Sequence, residues 1–121
     1  MKKILIVDDE PNIVMSLEYT FKKNGFEVFI ARDGQEALDI VKTTFPDVII
    51  LDVMMPLVDG YATLEHIKKD PHLTHTKVLF LSAKNKDSDI QKGLALGADA
   101  YLTKPFSIKK VVDQVFELLP T

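Results

Sequence analysis

Val48-Ile49-Ile50-Leu51-Asp52 sets four branched aliphatic residues in a row directly before a carboxylate. A strand with one wet face alternates apolar and polar residues, so an unbroken run of this length marks a strand buried on both faces, as in a parallel sheet covered by helices. Ile4-Leu5-Ile6-Val7 and Val78-Leu79-Phe80-Leu81 have the same character, residues 28–31 are a fourth such run, and residues 100–103 are a weaker fifth. The segments between them carry helix boundaries. Pro11 suits a first turn and Gly25 an end, with Ile13, Leu17 and Phe21 four apart on one face. Asp33-Gly34-Gln35-Glu36 is an Asp-capped variant of the capping box and leads into an apolar face of Ala37, Leu38 and Val41. A third helix is expected from Asp59 to Asp70, where Pro71 forbids continuation. A fourth is expected with Ser88 and Gln91 as a capping pair and Gly97 as its stop. Ser107 caps a fifth, with Phe106 and Val111 spaced as a hydrophobic staple. Strand starts near residues 3, 26, 47, 77 and 99 leave room for one helix in each interval, the longest also holding a loop over 71–77. The expected fold is α/β: a doubly wound five-stranded parallel sheet, order 2-1-3-4-5, with five helices on both faces.

With 121 residues there is room for one domain, expected over 1–121. The apolar share of 46% and charged share of 27% are those of a globular chain. The absence of cysteine excludes a disulfide framework, a Cys-ligated zinc site and a thiol nucleophile, and fits a cytoplasmic location. With 15 basic and 18 acidic side chains the net charge is −3, so there is no overall basic footprint for nucleic acid, and no direct nucleic-acid binding is expected. Residues 1–70 are acidic, with 8 basic and 13 acidic side chains, whereas 84–110 carry 6 basic and 3 acidic ones. The start, Met1-Lys2-Lys3 before an apolar run, imitates a signal peptide, but the run stops at Asp8-Asp9-Glu10 after four residues, short of the roughly seven an apolar core needs. No apolar run exceeds four residues, far from the roughly 18 that span a bilayer, and no membrane partner is expected.

The polar residues that end the apolar runs all stand at carboxyl ends of strands, where open parallel sheets hold their ligands. Asp8 and Asp9 follow the first strand, Asp52 the third, Ser82 the fourth and Lys104 the fifth. In the order 2-1-3-4-5 the first and third strands are neighbours, which brings Asp8, Asp9 and Asp52 together. Three carboxylates at close range must raise at least one pKa or recruit a cation. An open all-oxygen site suits Mg²⁺, which binds through one or two carboxylates plus phosphate oxygens. A carboxylate can accept a phosphoryl group, and phosphoryl transfer needs positioning and charge neutralisation. Lys104 supplies a point charge for phosphate oxygens and Ser82 a hydroxyl donor. Each residue taken singly has a plainer role: Asp8 and Asp9 as a helix cap, Asp52 as a turn residue before Pro56, Ser82 as a strand-end hydroxyl, Lys104 as a surface amine.

These residues resemble the receiver domains of two-component response regulators. The resemblance runs through Ile4-Leu5-Ile6-Val7-Asp8-Asp9-Glu10-Pro11, then Pro46-Asp47 to Asp52-Val53-Met54-Met55-Pro56 with Asp59-Gly60, then Leu81-Ser82-Ala83, then Gly97-Ala98-Asp99-Ala100-Tyr101 and Lys104-Pro105-Phe106. It implies a flavodoxin-like, CheY-like fold. It also implies that Asp52 accepts a phosphoryl group from a sensor histidine kinase, a phosphotransfer protein or a small phosphodonor. By the same resemblance Asp8, Asp9, the Asp52 carboxylate and the Met54 carbonyl hold Mg²⁺. Ser82, the Ala83 amide and Lys104 bind the phosphoryl oxygens, and the site hydrolyses its own aspartyl phosphate. Ser82 and Tyr101 form the implied switch, which alters the face of the fourth helix, fifth strand and fifth helix. The basic stretch 84–110 is expected on that face, which would meet an acidic partner, a second copy in a homodimer, or an effector domain or target outside this chain. The resemblance alone implies a cis Lys104–Pro105 bond. Ser82 stands where many members carry Thr, and Met54 and Lys84 occupy positions that vary among members.

Three other readings compete. A flavodoxin-like flavin protein needs a neutral loop after the first strand, and Asp8-Asp9-Glu10 would repel its phosphate. A haloacid-dehalogenase-type phosphatase also uses Asp, Ser or Thr, Lys and Mg²⁺, but its nucleophile follows the first strand in an Asp-x-Asp pattern that is missing here. A receiver-like module that works without phosphorylation would not need a competent residue at every matched position. His66, His72 and His75 are too few and too irregularly spaced for a metal site.

Overall fold

Five parallel strands form at the expected apolar runs: β1 (Lys3–Val7), β2 (Glu27–Ala31), β3 (Val48–Leu51), β4 (Lys77–Ser82) and β5 (Ala100–Thr103). The structure is a computed structural model that describes residues 1–55 and 58–120; Pro56 and Thr121, both used in the sequence reading, lie outside them. The strand order is β2-β1-β3-β4-β5, with every neighbouring pair parallel. The helices are α1 (Pro11–Lys23), α2 (Gly34–Thr44), α3 (Gly60–Lys69), α4 (Asp87–Ala95) and α5 (Ile108–Leu118), and a single 3-10 turn at Pro71–Leu73 occupies the expected loop.

Side chains along a strand point alternately to opposite faces, so the uninterrupted apolar runs feed two cores at once. Leu5, Val7, Ile49, Leu51, Val78 and Phe80 face α2 and α3, meeting Ala37, Val41, Leu64 and Ile67. Ile4, Ile6, Val48, Ile50, Leu79 and Leu81 face α1 and α5, meeting Leu17, Phe21, Val111 and Val115. Burying a branched aliphatic side chain is worth about 1.5–3 kcal/mol. The runs over 4–7, 48–51 and 78–81 are therefore all costly to interrupt, since every one of their residues is buried. β2 and β5 are the edges, and their half-buried patterns follow from having a neighbour on one side only.

Most helix boundaries meet the sequence expectations. The Asp33 carboxylate accepts the Glu36 N–H at 2.8 Å, Asp59 accepts from Ala62 at 2.9 Å, and the Ser107 hydroxyl accepts from Lys110 at 3.1 Å. Gly25 and Gly97, the expected stops, both have positive φ. The capping pair Ser88 and Gln91 is corrected. α4 begins at Asp87, so Ser88 already lies inside the helix, and Asp89 closes the turn by accepting the Lys86 N–H at 3.3 Å. A carboxylate three residues past the cap does there what Gln91 was expected to do for Ser88, and Asp87 and Asp89 in the first turn also suit the helix dipole. The Lys104–Pro105 peptide is cis.

Candidate functional site

The register of β1 against β3 pairs Val7 with Leu51, so the next residue on each strand, Asp8 and Asp52, emerges beside the other at the carboxyl edge. Backbone hydrogen bonds hold both: the Asp8 N–H donates to the Ala31 carbonyl at 3.1 Å and the Asp52 N–H to the Val7 carbonyl at 3.0 Å. On the far side Ser82 pairs with Thr103, and the Lys104 N–H donates to the Ser82 carbonyl at 2.8 Å. Four strands thus deliver their terminal polar residues to one edge, with β1 and β3 central, where the chain changes direction across the sheet.

Asp8 and Asp52 are buried, at 3% and 4% exposure. Lys104 crosses the edge to meet them, its Nζ lying 3.0 Å from Asp8 Oδ2, 2.8 Å from Glu10 Oε1 and 3.4 Å from Asp52 Oδ2. The remaining oxygens accept backbone donors: Asp8 Oδ1 takes the Glu10 N–H at 2.9 Å and Asp52 Oδ1 the Met54 N–H at 3.2 Å. Burial pushes the Asp52 carboxyl above its ordinary 3.8 against the pull of Lys104 and the Met54 N–H, and the Asp8 charge adds to the rise. Burial works against the Lys104 charge, but hydrogen bonds to Glu10 and Asp8, with the charges of Asp52 and Asp8, hold its ammonium above the ordinary 10.5. The crowded carboxylates therefore do both things electrostatics requires of them: one pKa rises, and a cation is recruited from the same chain.

The expected site residues do not all converge. Asp8, Asp52 and Lys104 meet. Asp9 is exposed and shares with Asp8 a groove lined also by Val14, Met15 and Arg32, while Glu10 takes the third place beside the ammonium. The chain bends at Asp9 and the Glu10 N–H closes onto Asp8 Oδ1 at 2.9 Å, which turns Glu10 back beside Asp8. Met54 turns its N–H to Asp52 and leaves its side chain exposed. The Ser82 hydroxyl is buried and accepts the Lys84 N–H at 3.2 Å, and Ala83 stands exposed beside it. Tyr101 is half-buried against Phe80, and its hydroxyl donates to the Lys84 carbonyl at 2.8 Å. Burial, reinforced by Tyr61 and opposed by the Ser82 hydroxyl, pushes the Tyr101 phenol up to about 12, so it remains a donor at neutral pH.

Several motif residues serve the frame. Asp47 and Asp99 sit at the opposite edge, accepting the Lys3 N–H at 2.7 Å and the Val78 N–H at 2.8 Å, where strands begin with free donors. Glu10 was missed as a site residue, although the acidic run Asp8-Asp9-Glu10 was its signal. Of the basic stretch 84–110, Lys104 turns into the pocket and Lys92 lies over the Tyr61 ring, while Lys109 stays exposed on α5, paired with Asp113 at 2.9 Å. Sequence proximity could not show this, because the stretch runs from one edge of the sheet across α4 and β5 and back. Of the histidines, His72 pairs with Asp70, and among the described residues none joins a metal-binding group.

Asp8, Glu10 and Asp52 each offer a carboxylate oxygen, all within 4.8 Å of one another. An all-oxygen, anionic donor set fits a hard divalent cation such as Mg²⁺ and is a poor match to softer metals. A groove of about 500 Å³ lined by Val53, Met54, Lys84 and Lys92 gives a route from solvent to the Asp52 loop. Among the described residues no helix is long and apolar enough to cross a membrane.

The response regulator receiver domain family model matches residues 4–116. The alkaline phosphatase synthesis transcriptional regulatory protein PhoP of Bacillus subtilis (strain 168) is 43% identical over 118 residues, covering 98% of this chain and 48% of PhoP, so the chain spans about half that relative's length. The receiver domain of the Francisella response regulator 1452 superposes with a TM-score of 0.89 at 37% identity, covering 98% of this chain and 96% of that one. The chemotaxis response regulator CheY4 of Vibrio cholerae superposes with a TM-score of 0.92 at 33% identity, covering 98% and 99%.

Proposed function

This chain belongs to the response regulator receiver domains, and from that premise we propose that Asp52 is the phosphoryl acceptor of a Mg²⁺-dependent signalling switch. A haloacid-dehalogenase-type phosphatase is not favoured, since the chain matches the receiver family over nearly its whole length and the carboxylate between Asp8 and Lys104 follows the third strand. The observation that carries the proposal is the meeting of two buried carboxylates and one ammonium at register-adjacent strand ends.

An Asp52 carboxylate oxygen attacks phosphorus. The P–N bond of a kinase phosphohistidine, or the P–O bond of a small acyl phosphate, breaks with its electron pair leaving on the imidazole or the carboxylate, and a mixed anhydride forms on Asp52. The raised Asp52 pKa keeps the nucleophile more basic than a free carboxylate. Lys104, held by three carboxylates at rest, follows the negative charge to the transferred phosphoryl oxygens. Ser82 and the Ala83 N–H donate to the remaining oxygens. Asp8, Asp9, Asp52 and the Met54 carbonyl would hold Mg²⁺, which would supply charge neutralisation at the phosphoryl group, with Glu10 left to Lys104 and not to the ion. Attack of water on phosphorus then returns the Asp52 carboxylate and inorganic phosphate, resetting the domain.

The donor is a sensor histidine kinase or a phosphotransfer protein in the cytoplasm. Loading draws Ser82 toward the phosphoryl group and alters the surface of α4, β5 and α5 through Tyr101. That surface then acts on an effector domain, a target protein or a second copy. Read as a single unit over 1–121, the domain signals through its own phosphorylation and resets by hydrolysing its own aspartyl phosphate.

The test is incubation with a small acyl phosphate and Mg²⁺, read by intact mass. The wild type should gain one phosphoryl group and Asp52→Asn none. Equal gain in the variant would remove Asp52 as the acceptor.

A further inference from the structure

We propose that Tyr61 is a positioning residue that ties α4 to the acceptor loop, in addition to the Ser82 and Tyr101 pair. Its signalling meaning rests on the reading of Asp52 as the acceptor; the anchoring belongs to the resting fold.

Tyr61 stands in the first turn of α3, one residue past Gly60. A Cβ at Gly60 would lie 2.3 Å from the Asp52 carbonyl oxygen and 2.6 Å from Val53 Cα, so the start of α3 touches the acceptor loop backbone to backbone. The Gly60 N–H also donates to the Val53 carbonyl at 2.9 Å. At this contact only backbone atoms separate the Asp52–Val53 peptide from the start of α3.

From that fixed point the buried Tyr61 side chain reaches across to α4. Its hydroxyl donates to the Asp89 carbonyl at 3.3 Å. Lys92, three residues further along α4, carries its Nζ to 4.4 Å from the ring centroid, within cation–π range. The ring edge meets Phe80 of β4 with centroids 5.7 Å apart and planes at 74°. α4 has few other holds on the body of the domain: Gly93 is its one buried residue, and a Cβ there would already lie 3.0 Å from Phe80 and Tyr101. An element with so little buried surface opens easily, and the few attachments it has decide where it sits. Tyr61 supplies two of them.

A shift of the Asp52 loop on loading therefore reaches α4 through Gly60 and Tyr61, by rigid contact, in addition to any route through Ser82 and Tyr101. The two routes meet at Phe80, whose ring lies 5.7 Å from both Tyr61 and Tyr101, and also directly, where the two phenols interact.

Hydrogen exchange by mass spectrometry on the whole chain tests this, at rest and after loading with a small acyl phosphate and Mg²⁺, with phosphoryl uptake measured by intact mass on the same samples. At rest, Tyr61→Leu should speed exchange of the α4 amides by about threefold or more while α1 and α5, on the other face, keep wild-type rates. Tyr61→Phe, which keeps the ring and loses only the hydroxyl, should lie between. On loading, Tyr61→Leu should take up the phosphoryl group as wild type does, yet its change in α4 exchange should fall to about half or less of the wild-type change. A purely structural role would alter the resting rates and leave the loading-dependent change intact, and that result overturns the proposal. Wild-type α4 rates at rest in Tyr61→Leu overturn it too. If Tyr61→Leu does not fold, Tyr61→Phe and Lys92→Gln each remove one attachment, and unchanged α4 exchange in both is the refuting result. Should wild type take up no phosphoryl group, the reading of Asp52 fails, and the resting comparison still decides the anchoring.

Discussion

Replacing Lys104 with methionine leaves an unbranched side chain one atom shorter and removes the ammonium that faces two buried carboxylates. At an effective dielectric of about 20, a unit charge pair near 3 Å is worth roughly 5 kcal/mol gross, before the cost of desolvating both partners. The Lys104 contacts to Asp8 and Asp52 are at 3.0 and 3.4 Å with side chains at most 11% exposed, so both fall in this class. The Glu10 contact is shorter, at 2.8 Å, but Glu10 is 57% exposed, and such a pair contributes about 1 kcal/mol at most. Breaking a buried pair by removing one partner costs about 3–5 kcal/mol, because the orphaned charge stays buried. Lys104→Met should therefore lose about 3–5 kcal/mol in urea unfolding at pH 7 in chelator-treated buffer. Lower pH should shrink the deficit. The folded pKa of Asp52 already lies above its ordinary value, and losing Lys104 raises it further, so the folded state takes up a proton sooner than the unfolded chain as pH falls. The penalty is full above that folded pKa and is relieved as pH drops through it. Adding Asp52→Asn to Lys104→Met should recover much of the loss at pH 7 and flatten the pH dependence. A loss below about 1 kcal/mol at pH 7, or a deficit that grows on acidification, would refute the electrostatic account of the site.

Divalent metal and the α3 contact give two further tests. Mg²⁺ should raise thermal stability by about 2.7 kcal/mol at one hundred times its Kd, and Asp8→Asn/Asp9→Asn should remove that gain; an equal Mg²⁺ shift in the double variant would place the ion elsewhere. Gly60→Ala would set a Cβ 2.3 Å from the Asp52 carbonyl oxygen, where no side chain can give way, and should cost about 1–3 kcal/mol in urea unfolding while slowing phosphoryl uptake. Wild-type stability and uptake in Gly60→Ala would show that the helix start is not pressed against the acceptor loop.

The parts of the site legible in the sequence share one property: position along a strand. Asp8, Asp52, Ser82 and Lys104 could be assigned to one edge because each ends an apolar run, and in a parallel sheet all carboxyl ends lie together. Glu10 and Tyr61 carried no such mark. Glu10 looked like one more member of an acidic turn, and its contact with Lys104 joins residues 94 apart in the chain. Tyr61 looked like a residue of an ordinary amphipathic helix, yet it binds a carbonyl 28 residues away. The α4 cap lies at Lys86, two residues before the expected Ser88, because Asp89 accepts the cap N–H and Asp87 and Asp89 together supply negative charge at the helix start.

By itself the sequence determined the layers of this protein, the order of its elements and the edge on which chemistry collects. Those follow from burial and chain direction, which act along one dimension: an apolar run long enough to hide both faces needs helices on both sides, and its end must meet water. Only the tertiary structure decided which carboxylate stands beside the ammonium, that Lys104 faces the pocket, and that Tyr61 bridges from the acceptor loop to α4. Those depend on register and side-chain direction across strands and helices distant in sequence, where a shift of one residue reverses what each side chain meets.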